Sequence, residues 1–326
     1  MRHQNVVVFG GSGFIGHHLV ARLAADARRV TLVTSRRENA QNLIMLPTVD
    51  VIEGDAYDEP FLARVMQRQH AVINLVGVLH GDRASPYGKR FARAHVELVE
   101  RLTKAAKGAG VPRFLQMSGL GAAKDAPSMQ LRSKFDGEQV ARDAGLQTTV
   151  FRPSVVFGAG DSFLTMFANL QKYVPLMPIG RAGARFEPVF VGDVTNAMFN
   201  ALDADASFGQ TYELVGPRIY TLKEIVALAG AASGHSRPVL ALPDGIAYLQ
   251  AALFEMLPGE PLLSRDNLDA MKSDNIASGT LPGLDAPELA GPNGVRATSL
   301  EQVAYEMLGG VHPRAYLDDL RRRAHR

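Results

Sequence analysis

Three glycines, Gly10, Gly13 and Gly16, follow the apolar run Val6, Val7, Val8, Phe9 and open a stretch in which Phe14, Ile15, Leu19, Val20 and Leu23 recur at helical spacing. They therefore occupy a strand-to-helix turn. At a helix start the first amides have no intrahelical partner and the dipole presents its positive end, so such a turn attracts a pyrophosphate. Glycine permits the tight bend and the close backbone approach. The bland reading is turn punctuation. Strand, spacing and helix together point instead to a dinucleotide pocket with Gly10, Gly13, Phe14, Ile15 and Gly16 against the coenzyme. The end of the following strand chooses the coenzyme, because an acid about 20 residues beyond the glycines binds the ribose hydroxyls of NAD. Here the chain reads TSRRE, and Ser35, Arg36 and Arg37 offer a hydroxyl and two guanidinium groups to a 2′-phosphate. NADP is expected in preference to NAD; the competing reading leaves both arginines solvated.

Such a turn needs a parallel sheet behind it, and the chain has the alternating pattern of a doubly wound α/β fold. Strands are predicted at 30–34, Val49–Glu53, 71–76, Arg113–Met117 and 148–152. The clearest helix is predicted over 89–108, where Phe91, Val96, Leu98, Val99, Leu102 and Ala106 form an apolar stripe closed by Gly108 and Gly110; another covers 128–145. Beyond Pro153 the pattern loosens, with glycine and proline clusters at 158–160, 175–183 and 279–294. Residues 1–155 are thus expected to form the dinucleotide-binding domain and 156–326 mainly a smaller substrate lobe, with a segment near 186–202 returning to the first. Residues 273–298 read as an extended surface segment, and no internal repeat is evident.

With 326 residues and 46% hydrophobic content the chain can bury a large core. It contains no cysteine, which excludes disulfides, thiolate catalysis and cysteine-ligated zinc and fits a reducing compartment; no metal site is assigned. Thirty-five Lys and Arg against 33 Asp and Glu give no argument for nucleic acid. The basic end RRRAHR reads as a solvated helix terminus or, alternatively, a contact for anionic lipid. The first strand starts almost at once, so no N-terminal signal is expected. The apolar stretch 246–257 contains Gln250 and Glu255 and is shorter than the about 20 residues a bilayer requires. It reads as lobe core or as a surface for a partner or membrane. A cytoplasmic protein, with peripheral attachment at the inner membrane left open, is expected.

GGSGFIG in the first turn, GDAYD at 54–58, NLVG at 74–77, SGLGA at 118–122 and FRPSVVFG at 151–158 together resemble the extended short-chain dehydrogenase/reductase superfamily, the NAD-dependent epimerase/dehydratase-like group. The likeness covers nearly the whole chain. HVELVERLTKAAKGAGVPRFLQMSGLGA, LRSK at 131–134, FEPVFVGDV at 186–194 and LLSRDNLDAMKSDN at 262–275 are closest to the atypical branch related to the complex I accessory subunit, alpha-subcomplex subunit nine. The resemblance implies a Rossmann-type sheet in which Asp55, with Ala56 beside it, meets the adenine amino group. It places Leu75, Val76 and Gly77 along the ribose and nicotinamide, and Pro153, Val155 and Val156 at the carboxamide through their backbone. Core packing is the alternative for each apolar one.

Active members of that superfamily use a tyrosine four residues before a lysine, and a serine or threonine from the preceding strand end. Ser118 and Lys134 stand in the serine and lysine places, but the tyrosine place holds Gln130. A glutamine amide has no proton to exchange near neutral pH. Lys134 is then left to hold the nicotinamide ribose. Substitute acids are sought in GVLHGDRASPYGK, which offers His80, Asp82 and Tyr87; ordinary loop roles are the alternative. His95 is read as a packing or hydrogen-bonding residue. Two classes of function remain: a dinucleotide-binding sensor or respiratory-complex accessory or assembly protein, and an NAD(P)-dependent oxidoreductase or nucleoside-diphosphate-sugar epimerase with rearranged acid–base residues. The small-molecule substrate is not specified by the sequence.

Overall fold

In the computed structural model, which describes residues 2–291 and 297–309, the apolar run of β1 (Asn5–Phe9) is buried because neighbours cover both its faces and both its edges. The RRRAHR segment lies outside the described residues. From β1 the chain passes through α1 (Phe14–Ala25), β2 (Arg29–Thr34), β3 (Val49–Glu53), α2 (Glu59–Val65) and β4 (Ala71–Asn74). The long helix that follows is continuous but not uniform: α3 (Lys89–Ala92) runs through a π turn (Arg93–Glu97) into α4 (Leu98–Gly108). Then come β5 (Arg113–Met117), α5 (Met129–Asp143) and β6 (Gln147–Pro153).

The second half is richer in helix than its glycine and proline content suggests. It contains β7 (Val156–Phe157), α6 (Phe163–Tyr173), β8 (Met177–Gly180), β9 (Arg185–Phe186), β10 (Val189–Phe190), α7 (Val191–Asp203) and β11 (Thr211–Leu214). After these come β12 (Tyr220–Thr221), α8 (Leu222–Ala232), β13 (Val239–Leu242), α9 (Asp244–Met256), α10 (Arg265–Ala270), α11 (Pro287–Ala290) and α12 (Leu300–Leu308).

Seven parallel strands form the main sheet in the order β11-β6-β5-β4-β1-β2-β3, so the order reverses beside β1 and opens a crevice at the strand carboxyl ends between β1 and β4. One face packs Val6, Val8, Leu19 and Leu23 against Val194, Ala197, Met198 and Ala201 of α7. The other packs Val7, Phe9 and Phe114 against Phe61, Leu98 and Leu102. A third core, with Phe157, Leu164, Phe167, Ile225 and Val226, belongs to the second half.

Two expectations change. The segment read as extended surface instead puts Leu284, Ala286 and Leu289 into the core shared with α7, and the Glu213 amide of the outermost strand donates to the Pro282 carbonyl (2.9 Å). An edge strand needs such cover for its backbone groups. On α9 only Ala247 and Ala251 are buried, while Ile246, Leu249, Leu253 and Met256 are each more than half exposed, so the helix is not lobe core. Among the described residues no helix is long and apolar enough to cross a membrane.

At the amino ends of the strands His3 and Arg28 bind Asp203 at the end of α7, and Arg113 ties the sheet to the same helix from within the core. Arg113 is fully buried, and its guanidinium donates to the carbonyls of Leu202 (3.2 Å), Gln147 (2.6 Å) and Ala201 (2.7 Å) and to the hydroxyls of Thr149 (2.8 Å) and Ser207 (2.9 Å). Burial pushes its pKa down to about 9, against the opposing pull of Tyr212, Asp203 and Asp205. Arg113→Met would leave several acceptors unmet, each costing about 1–3 kcal/mol, and should destabilise the protein by roughly 3 kcal/mol or more in urea unfolding. A loss below about 1 kcal/mol would show that water replaces the guanidinium.

Candidate functional site

Sterics position the turn after β1. Gly10 has φ +75°, and a Cβ on it would lie 2.8 Å from the Leu75 carbonyl carbon and the Val76 nitrogen. A Cβ on Gly16 would lie 2.4 Å from the Gly11 Cα and 2.6 Å from the Gly10 oxygen. Gly13 is the exposed N-cap of α1, no side chain caps the helix, and its first turn has no acid. A bare, positively polarised helix end thus faces the crevice. The loop 158–160 closes over it: His18 Nε2 bonds the Ala159 carbonyl (2.9 Å), and a Cβ on Gly160 would sit 3.8 Å from the Phe14 ring. Ile15 packs against the core below.

The ends of β2 and β3 meet beside this turn. Ser12 Oγ lies 3.3 Å from Thr34 Oγ1, which donates to the Arg36 carbonyl (2.9 Å), and the Arg37 amide donates to Glu53 Oε2 (2.9 Å). Ser35, Arg36 and Arg37 are exposed, and among the described residues neither guanidinium has a carboxylate partner. Asp55 is exposed, with Oδ1 accepting from the Tyr57 amide (2.9 Å), and Ala56 packs behind it. Leu75 and Val76 touch Gly10, and Gly77 stands in front of His95. The Pro153 carbonyl accepts from Leu120 (2.9 Å) and the Val155 carbonyl from Val189 (3.0 Å), while Val156 pairs with Val189.

Lys134 meets Ser118 at the end of β5, and Gln130 lies one turn earlier on α5. Lys134 Nζ donates to the Ser118 carbonyl (2.9 Å), and burial brings its pKa down to about 8. The Ser118 hydroxyl is buried without a hydrogen-bond partner. Gln130 Nε2 donates to the Val78 carbonyl (3.1 Å), so its amide is tied to the loop after β4. Of the loop candidates, Asp82 caps α3 through the Lys89 and Arg90 amides (2.8 and 2.9 Å), and the Tyr87 hydroxyl donates to Asp136 (2.7 Å), which with burial raises its pKa. His80 has a buried Nδ1 without a partner, and burial lowers its pKa.

Two residues to which sequence reasoning gave no role complete the frame. Asp266 of α10 accepts from the Met129 and Gln130 amides (2.7 and 3.1 Å), so the second half caps the helix that carries Gln130 and Lys134. Asn275 accepts from Ser154 Oγ (2.6 Å) through its side chain. Both lie in the segment 262–275, but contacts more than 100 residues apart leave no local signal.

His95, in the π turn, has a single tautomer. Its Nε2 accepts from the Val78 amide (3.1 Å), its Nδ1–H donates to Ser133 Oγ (2.8 Å), and Ser133 donates to the Gln130 carbonyl (2.8 Å). Burial and the Lys134 charge push its pKa down to about 3.

The sequence matches that of the NAD dependent epimerase/dehydratase family over residues 6–214. It is 29% identical over 309 residues to "NADH dehydrogenase (ubiquinone) 1 alpha subcomplex subunit 9, mitochondrial" of Mus musculus, covering 92% of this chain and 78% of that protein. The protein of the same name from Arabidopsis thaliana is 31% identical over 288 residues, covering 83% and 70%. Among solved structures, "MoeE5 in complex with UDP-glucose and NAD" superposes with a TM-score of 0.70 at 18% identity, covering 96% of this chain and 99% of that one, a likeness of fold.

Because His95 has a pKa of about 3 in the fold and 6.5 ordinarily, the unfolded chain binds more protons between those values. The contribution to stability is therefore complete above about pH 6.5 and is lost as pH falls, on the order of 1 kcal/mol per pH unit. His95→Asn should flatten the decline in urea-unfolding stability from pH 7 to pH 5; equal slopes in parent and variant would mean that His95 is not held neutral.

Proposed function

This chain belongs to the NAD dependent epimerase/dehydratase family, and from that premise we propose that it holds NADP(H) with little or no turnover, as a dinucleotide sensor or an accessory or assembly protein of the respiratory chain. The observation that carries this reading is Gln130, whose amide occupies the proton donor's place and is committed to the Val78 carbonyl. An amide in that position orients a neighbouring group but neither gives nor takes a proton near neutral pH.

The residues fit such a coenzyme, because Gly10 and Gly16 leave a cradle that side chains would fill and the first turn of α1 carries no competing acid. In this reading the α1 amides hold the diphosphate, Ser35, Arg36 and Arg37 hold the 2′-phosphate, and Asp55 accepts from the adenine. Leu75, Val76 and Gly77 face the ribose and nicotinamide, Lys134 holds the ribose hydroxyls, and Pro153, Val155 and Val156 border the carboxamide. When bound, the coenzyme supplies a nicotinamide able to give or take a hydride. The relatives named as respiratory-chain subunits support a partner there. The exposed aliphatic side of α9 supports peripheral contact with that partner or a membrane surface, whether the protein is cytoplasmic or at the inner membrane.

A second reading, an oxidoreductase or sugar-nucleotide epimerase, is favoured by the buried and unpartnered Ser118 hydroxyl beside Lys134, a donor left free for a substrate oxygen. The two readings separate cleanly. Nicotinamide absorbance followed against candidate ketones and nucleotide sugars should stay flat; steady turnover that Ser118→Ala abolishes without weakening coenzyme binding selects the enzyme.

Calorimetry should find NADPH bound about 100-fold more tightly than NADH, the worth of two charge-assisted phosphate contacts. Arg36→Ala/Arg37→Ala should reduce that ratio at least about tenfold. NADH binding as tightly as NADPH would sink the assignment of these residues.

A further inference from the structure

We propose that a second anion site, independent of the coenzyme turn, lies where the loop after β4, the start of α5 and the turn after α10 meet, and that it binds a phosphate dianion carried by a soluble monoester or a lipid headgroup. The cavity there has a volume of about 530 Å³, enough for a phosphate with an organic group attached, and is lined by Arg83, Pro127, Met129, Arg132, Asp269 and Lys272. Three cations face one carboxylate.

The hydrogen bonds show where the charge is left over. Asp269 accepts from Lys272 (2.7 Å) and the Tyr248 hydroxyl (2.7 Å) and lies 4.0 Å from Arg83, so it neutralises one cation. Arg132 makes four hydrogen bonds, all to carbonyls: two to Pro86 (2.9 and 2.8 Å), one to Ala126 (2.6 Å) and one to Pro127 (3.2 Å). Its guanidinium is fixed in place without a salt bridge, and the carboxylate that feels its charge, Asp266, is taken up by the Met129 and Gln130 amides. Counted over the lining, three cations stand against one carboxylate, an excess of two positive charges that a dianion matches, and the next acid to feel Arg83, Glu255, is paired with Arg265.

The α5 amides are not the donors. Asp266 takes Met129 and Gln130, and Ser128 Oγ takes Leu131 (3.2 Å). Recognition falls to Arg83, about half exposed and only loosely held 4.0 Å from Asp269, and to Lys272, also about half exposed, which would share its ammonium between Asp269 and a ligand, with Arg132 as a fixed charge beneath them. Met129 and Pro127 add an apolar wall for whatever bears the phosphate. The coenzyme's phosphates would be held elsewhere, by the turn before α1.

The test titrates the full chain with inorganic phosphate at fixed ionic strength as parent, as Arg83→Ala/Lys272→Ala and as Arg36→Ala/Arg37→Ala. Thermal midpoints confirm that each variant is folded. The parent should bind, the first variant should bind at least about tenfold more weakly, and the second should retain the binding that the first loses, whatever phosphate it no longer holds at the coenzyme turn. No binding by the parent, or undiminished binding by Arg83→Ala/Lys272→Ala, overturns the site. A loss confined to Arg36→Ala/Arg37→Ala also overturns it, assigns the anion to the coenzyme turn and leaves the function proposed above standing. The source is read from co-sedimentation with phosphatidylcholine vesicles with and without phosphatidic acid. Phosphatidic-acid-dependent binding that Arg83→Ala/Lys272→Ala abolishes identifies the headgroup, and phosphate binding without co-sedimentation identifies the soluble monoester.

Discussion

The contact between Gly16 and the backbone of Gly10 and Gly11 is closer than any side chain permits, and the crevice is built on it. Because α1 can approach β1 so nearly, its uncapped end opens directly above the carboxyl ends of β1 and β4. Gly10, with a conformation that favours glycine, lets the β4 end reach the same place. The β2 and β3 ends follow through ordinary ladder pairing and the bonds around Thr34. The anion site, ribose side and ring face proposed above would thus share one packing constraint rather than depend on separately placed groups.

Helix α5 is the second organising element. Its first turn is capped by Asp266 from the far half of the chain, and Gly137 lets the helix lie against the His95 carbonyl, where a Cβ would come within 2.0 Å. Ser133 and His95 then carry its position to Val78. Gln130 joins this same network through the Val78 carbonyl. In the reading proposed above, an amide at this position would remove a proton donor while the framework that would orient a ligand is kept.

What could be read from the sequence depended on how local the cause was. Val6 to Phe9, the glycine turn and the apolar stripe of 89–108 state their structure within a few residues, and the strands predicted at Val49–Glu53 and Arg113–Met117 match the observed limits. The proposed roles of Ser35 to Arg37 and of Gln130 rest on the same kind of local reading. The seventh strand, Thr211–Leu214, was not, since TYEL has no continuous apolar run and becomes a strand by pairing with β6. The core role of Leu284, Ala286 and Leu289 was hidden by surrounding glycines and prolines, and the cap by Asp266 by sequence distance. Conversely, α9 looked like core because its composition is apolar, yet composition does not state which faces find a partner.

The cover laid over the last strand has a consequence for how copies of this protein behave at high concentration. With the Glu213 amide bonded to Pro282, the β11 side offers a newcomer fewer unpaired backbone groups, and at the opposite side β3 presents Asp50 and Glu53, whose like charges would oppose one another if two such rims met. Both rims of the seven-stranded sheet thereby oppose pairing with the rim of another copy.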